Sequence, residues 1–104
     1  MSQTVNIIIK GYSNLLNQEV AEQIEYRIKQ SSCWVLEKHT IDNGMNFKIK
    51  AFADKLEKLY NNLQEAGLTL AEGSEEKILN AAQQYSVFRD IEITLELNLV
   101  VAAV

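Results

Sequence analysis

The segment that most constrains the fold is residues 91–104, with the sequence IEITLELNLVVAAV. Odd positions from 91 to 99 are all apolar, and the four positions between them are Glu, Thr, Glu and Asn. This two-residue period predicts a β-strand with one buried face and one solvated face. From Val100 onward both faces are apolar. The pattern therefore requires a sheet with a core on one side. It also requires that other protein groups shield both apolar faces at the end of the strand from water.

Chain length and composition favour a single globular domain spanning residues 1–104. The chain has 104 residues, of which 47% are hydrophobic and 23% are charged, as in an ordinary folded domain. A net charge of -4 disfavours binding to nucleic acid or to an anionic membrane surface. The terminal apolar run is also shorter than the ~20 residues of a membrane-spanning helix. We therefore expect neither nucleic acid nor a membrane as a partner.

The single cysteine, Cys33, excludes an internal disulfide and a zinc site built from cysteines. With no secretory signal at the N-terminus, this predicts a cytoplasmic protein. Cys33 and the single histidine, His39, lie on one predicted strand and point to the same face. At ~3.3 Å per residue they are roughly 20 Å apart, too far to form a nucleophile–base pair if the strand is continuous.

The first half of the chain predicts a strand, a helix and a hairpin. Consecutive isoleucines in residues 4–10 indicate a central strand that is buried on both faces. An apolar stripe predicts a helix over residues 14–30. Residues 33–41 and 45–53 are typical of two hairpin arms, and Asn43–Gly44 between them is typical of a type I′ turn.

The predicted turn sets the register of this hairpin. A two-residue turn places Trp34 and Leu36 on the core face and Glu37 opposite Lys50 on the solvated face. A three-residue turn would instead bury Glu37 beside Ile49. We therefore expect the first register, which keeps the carboxylate in water.

The second half predicts two short helices, over residues 55–66 and 74–85, and then the final strand. A short extended link lies at residues 68–71. If the two helices count as one layer, the order is βαββα(α)β, which resembles the ferredoxin-like split βαβ architecture of the α+β class. The resemblance implies a four-stranded antiparallel sheet with helices on one face. It also implies that the first strand is central and that the last strand lies beside it at the sheet edge.

Residue spacing argues against catalytic, metal and phosphate sites. Glu92 and Glu96 share one strand face but are ~13 Å apart, too far to share an ion. The turn after the first strand, at Lys10–Gly11, lacks the glycine-rich pattern of a phosphate cradle. On the open face of the predicted sheet the same glutamates would repel the phosphates of RNA. We therefore expect no enzyme, no metal and no cofactor.

The remaining hypothesis is a non-enzymatic protein–protein interaction module that acts through a sheet edge and the C-terminal apolar strand. Small inhibitors, immunity proteins and adaptors of bacterial or phage type have this profile. The candidate interface residues are Leu97, Leu99, Val100, Val101, Ala102 and Val104. The partner is another protein or a second copy in a homodimer, because a long apolar edge strand recruits other chains. Alternatively, the tail bends at Asn98 and folds back on its own domain.

A second hypothesis from a different class is a small-molecule sensor. The predicted βαββαβ order resembles that of regulatory ACT-type domains. Such a resemblance implies ligand binding at strand edges between protomers.

Overall fold

The computed structural model describes residues 4–14, 17–41, 44–85 and 92–101. In chain order the elements are β1 (Thr4–Ser13), α1 (Gln18–Gln30), β2 (Trp34–Ile41), β3 (Gly44–Ala51), a 3-10 turn (Ala53–Lys55), α2 (Leu56–Glu65), β4 (Thr69–Leu70), α3 (Ser74–Tyr85) and β5 (Glu92–Val101). The α+β class is confirmed. Within these ranges none of the helices is long and apolar enough to cross a membrane.

The strands form one five-stranded mixed sheet in the order β2-β3-β5-β1-β4. β5 is parallel to β1, whereas the other neighbouring pairs are antiparallel. The last strand thus lies beside the first, as expected. However, the expected four-stranded antiparallel sheet is not observed, and the prediction that the last strand lies at an edge is wrong. β5 lies inside the sheet, between β3 and β1.

The two helices between β3 and β5 explain this difference. β3 ends at Ala51, which pairs with Ile93 near the beginning of β5. α2 carries the chain to the opposite end of the sheet, where β4 pairs with Gly11 and Tyr12 of β1. α3 then returns the chain, so that β5 begins where β3 ended. Treating α2 and α3 as one element omits a chain reversal, and the omitted reversal inverts the direction of the last strand.

The core lies between the helices and one face of the sheet. Phe47, Leu97 and Ile9 are neighbours across β3, β5 and β1, and all three are buried. The fully buried helix residues are Ile24, Ile28, Leu56, Leu59, Leu63 and Ile78. Isoleucines 7 and 9 face this core, but Ile8 between them is exposed. The expectation that β1 is buried on both faces is therefore wrong.

Helix boundaries follow the local capping chemistry. The side-chain oxygen of Asn17 accepts a hydrogen bond from the backbone N–H of Val20 at 2.9 Å, so α1 begins at Gln18. The predicted helix over residues 14–30 starts too early for this reason. The prediction for α3 is confirmed at Ser74–Tyr85, and α2 lies within the predicted range after a short 3-10 turn.

The strand register on either side of the β2–β3 connection does not match the predicted Asn43–Gly44 turn. Gly44 is the first residue of β3, where it pairs with Ile41 of β2 and Val100 of β5. It is therefore not a turn residue, and the connection at positions 42–43 lies outside the described residues.

A β-bulge at Leu36 changes the register again in the middle of β2. Trp34 consequently pairs with Lys50, and Glu37 pairs with Lys48. Glu37 lies on the solvated face opposite a lysine, as predicted. That lysine is Lys48 rather than Lys50, so the predicted register is wrong. Trp34 and Leu36 are exposed rather than buried in the core.

Candidate functional site

The candidate site is the sheet face opposite the helices, which we call the open face. Four rows of cross-strand neighbours run over it, each in the order β2, β3, β5, β1. The first row is Trp34, Lys50, Thr94 and Asn6; the second is Glu37, Lys48, Glu96 and Ile8; the third is His39, Asn46, Asn98 and Lys10; the fourth is Ile41, Gly44, Val100 and Tyr12. Side chains on this face are half-buried or exposed, with the glycine as the one buried member of the rows.

The fourth row and its neighbour Ile8 form an apolar corner of the open face. Ile8 and Ile41 are 53% and 55% exposed, and Tyr12 and Val100 are 39% and 37% exposed. Gly44 lies between Ile41 and Val100 and has no side chain, so the backbone of β3 separates these two apolar groups. Large apolar side chains are therefore clustered on a surface that faces water.

A charged cluster occupies the second and third rows. One carboxylate oxygen of Glu37, Oε2, lies 3.5 Å from His39 Nε2 and 3.5 Å from Lys48 Nζ. The hydrogen bond with His39, followed by the positive charge of Lys48, lowers the pKa of the Glu37 carboxyl below its usual value. Glu37 is thus held as a carboxylate between two donors, on the side of the face formed by β2.

Asn46 organises the centre of the open face. Its side-chain amide nitrogen donates to Glu96 Oε1 at 3.2 Å and also to Asn98 Oδ1. Both acceptors are on β5, so the amide links the two central strands through their side chains as well as their backbones. The polar groups at the centre are consequently ordered before any partner binds.

The first row ends in an aromatic pair. The rings of Trp34 and Phe52 meet edge to face, with centroids 6.0 Å apart and an interplanar angle of 86°. Lys50 Nζ lies 5.7 Å from the centre of the Trp34 ring, within range of a cation–π interaction. The tryptophan remains exposed, and these contacts hold its orientation at the corner of the sheet.

The structure divides the predicted interface residues into three groups. Leu97 and Leu99 are 0% exposed and belong to the core. Val100 and Val101 are exposed, whereas Ala102 and Val104 lie outside the described residues. Of the four that the structure describes, Val100 is the one with a place in the rows of the open face.

The strand does not bend at Asn98. β5 continues to Val101, which pairs with Ser13 of β1, and Val100 pairs with both Tyr12 and Gly44. The change from polar to apolar residues therefore marks the place where a central strand enters the apolar corner.

Cys33 and His39 lie on opposite sides of the sheet. The bulge at Leu36 reverses the alternation of faces along β2, so the predicted placement on one face is wrong. Cys33 is buried in the core, and His39 is exposed on the open face. Burial raises the pKa of the Cys33 thiol to about 11.

We expect the Cys33 thiol to react slowly with iodoacetamide in the folded protein. The thiolate is the reactive form, and a pKa of about 11 instead of 9.0 makes it about 100-fold scarcer at pH 8. Mass spectrometry of timed samples should show a rate at least about 100-fold below that in denaturant, rising tenfold per pH unit above pH 8. Equal rates in the folded and unfolded protein would contradict the burial of this thiol.

Two shallow hollows lie along α3, away from the open face. The larger, of about 400 Å³, is lined by Gly73, Glu75, Glu76, Leu79, Asn80 and Gln83. The smaller, of about 250 Å³, lies where α3 meets the 3-10 turn. Across the described ranges, histidine, cysteine and acidic residues do not form any group of three or more that could hold a metal ion.

Sequence reasoning missed most residues of the open face. The sequence predicts strands at Ile8 and Ile41 and a turn at Tyr12, and it places Trp34 on the core face. A signal was present in β1, where Asn6 and Lys10 alternate with the buried isoleucines and share a face with Ile8. Two polar residues on the same face indicate that this face is solvated and that the strand is not buried on both faces.

Comparisons with protein-family models, with curated proteins and with solved structures find no match for this chain. The functional argument therefore depends on the chemistry of the open face. Its ordered charges and exposed apolar residues are the features that need an explanation.

Proposed function

We propose that this chain is a non-enzymatic protein–protein interaction module of the cytoplasm and that the open face is its docking surface. The observation that carries the proposal is the apolar corner, where Ile8, Tyr12, Ile41 and Val100 are all substantially exposed. In a sheet that has one solvated face, the residues on that face are normally polar. Clustered apolar groups with a polar surround are typical of protein-binding surfaces.

The composition of the open face supports this use. Interface hot spots are enriched in tryptophan, tyrosine and arginine, and the open face has Trp34 and Tyr12 at opposite corners. Between the corners, Asn46 and Glu37 already hold their polar neighbours through hydrogen bonds and charge contacts. Side chains that are ordered before binding lose less conformational entropy when a partner docks.

Features of both sheet edges favour the open face, rather than an edge, as the docking surface. On the edge strand β2, the bulge and the inward-facing Lys38 both hinder the addition of another strand. Lys38 Nζ lies 2.5 Å from Glu25 Oε1 of α1, which holds its charge beside the edge. At the other side, Lys77 Nζ of α3 donates to the backbone oxygen of Ile8 at 3.3 Å. A lysine therefore occupies part of the free edge of β1.

A site-specific photo-cross-linker tests this proposal. Placed at Tyr12 of the open face, a benzoylphenylalanine should form an adduct of discrete mass with a bound protein in cells. The matched control has the same residue at Tyr26, an exposed tyrosine on α1. The proposal fails if position 12 gives no adduct, or if positions 12 and 26 give the same adducts.

The small-molecule-sensing hypothesis depended on a resemblance in the order of elements along the chain, βαββαβ. The observed sheet has the strand order β2-β3-β5-β1-β4, with β5 parallel to β1, and gives that resemblance no support. A ligand-dependent rise of the melting temperature across a metabolite panel would favour the hypothesis.

A further inference from the structure

We infer that the partner of the open face is a second copy of this chain, packed face to face about a two-fold axis that runs along the strands between β3 and β5. The inference rests on the proposed function of the open face. Such an axis exchanges β3 with β5 and β2 with β1, and each row then meets the same row of the second copy. A two-fold interface needs a surface that is complementary to itself.

The second row meets this requirement in charge. The axis places Lys48 of each copy against Glu96 of the other, so that two opposite-charge contacts form by symmetry. Glu37 lies beside Lys48 within the same copy and completes an alternation of negative, positive and negative groups across three strands. Complementary charge patterns of this kind set the register of an interface.

The fourth row meets the requirement in apolar character. Val100 of one copy faces Gly44 of the other, which has no side chain to obstruct it, and Ile41 faces Tyr12. The first pairing joins an apolar side chain to bare backbone, and the second joins two apolar side chains. In the third row the amides of Asn46 and Asn98 meet, where each can donate and accept.

The charge balance of the open face favours a copy of this chain over a strongly charged partner. The rows contain three lysines and two glutamates, Lys10, Lys48, Lys50, Glu37 and Glu96. The whole chain has a net charge of -4, so the excess of acidic residues lies elsewhere. Two copies can therefore approach through their open faces with less repulsion than through their other surfaces.

The size of the face is consistent with a reversible dimer. Four strands ~4.8 Å apart and eight residues long at ~3.3 Å each cover about 500 Å² per copy in projection. The accessible surface that follows the side chains is larger, which brings the total for two copies close to the ~1,200 Å² lower limit of standard interfaces. We expect an association that depends on concentration and weakens with salt.

Two complementary charge reversals test this geometry. Lys48→Glu and Glu96→Lys each place like charges together in a homodimer, and each should weaken self-association at least about 100-fold in sedimentation equilibrium. Mixed in equal amounts, the two variants should form a heterodimer, because both contacts between positions 48 and 96 then join opposite charges. The matched controls, Lys58→Glu on α2 and Glu22→Lys on α1, change the same charges on exposed helix positions and should associate like the original chain.

Val100→Asp tests the fourth row independently and should weaken self-association to a similar extent. Circular dichroism checks that each variant is folded. A chain that is monomeric at every concentration, reversals without effect, or folded variants that do not associate on mixing would overturn the inference. The adduct from position 12 separates the two proposals. Cross-linking to β2 of a second copy supports both, an adduct with a different protein supports the docking surface alone, and no adduct contradicts both.

Discussion

Replacing Leu97 by alanine is expected to lower the free energy of unfolding by about 3–5 kcal/mol. Leu97 is 0% exposed and lies between Phe47 and Ile9 in the middle of the sheet. Removal of its branched end leaves a cavity that rigid neighbouring strands cannot fill. Urea denaturation followed by circular dichroism, at a protein concentration below self-association, measures the loss.

Val100→Ala is the matched control on the same strand. Val100 is exposed on the open face, so its truncation should cost less than about 1 kcal/mol in the same experiment. Losses of equal size at positions 97 and 100 would contradict the assignment of Leu97 to the core. The two substitutions thus distinguish a predicted interface residue that stabilises the fold from one that is available for binding.

Gly44→Ala is expected to destabilise the protein by about 3 kcal/mol or more. A Cβ atom at this position would lie 2.0 Å from the backbone oxygen of Leu99, far inside van der Waals contact. Since the obstacle is backbone rather than a flexible side chain, β3 would have to move away from β5 at its first residue. The midpoint of thermal or urea unfolding should fall accordingly.

Gly67→Ala isolates the cost that glycine replacement has without a clash. Gly67 follows α2 with a φ of +91°, and nothing lies within 4 Å of an added Cβ. We expect about 1–2 kcal/mol from the left-handed backbone alone. If Gly44→Ala were no worse than Gly67→Ala, the close approach of β3 to β5 would be refuted.

The helices could be predicted because their signals are local. Ile24 and Ile28 recur on one stripe, and both are buried where the stripe predicts. The start of α1 was harder, because Ser13, Asn14 and Asn17 can all cap a helix. Only the contact from Asn17 to the backbone N–H of Val20 selects the last of them.

The sheet order was not predictable from the same kind of signal. The alternation in β5 correctly indicates one buried face, with Leu97 and Leu99 in the core. Alternation does not say which strands flank it, and neighbours are set by the number of chain reversals between them. The two-residue strand β4, which marks the reversal between α2 and α3, is too short to produce a pattern of its own.

The candidate site was only partly predictable for a related reason. The terminal apolar segment drew attention to Val100, which does lie on the open face. The β2 members depend on the bulge at Leu36, which moves Trp34 out of the core register and puts His39 on the opposite side from Cys33. A single extra residue in a strand reverses every assignment beyond it.

The position of β5 also determines how this sheet can be assembled. In the described strand order, β5 separates the β2–β3 hairpin from the β1–β4 pair, and it begins with Glu92 against Thr4. A hairpin such as β2–β3 can form within about 1–10 μs because its arms are adjacent in sequence. Pairing of β1 with β5 closes a loop that contains almost the whole described chain. This step is slow because closing a long loop costs conformational entropy. During synthesis, β1 and β3 each present an unpaired inner edge until β5 leaves the ribosome, and this interval is when the nascent chain is most exposed to aggregation.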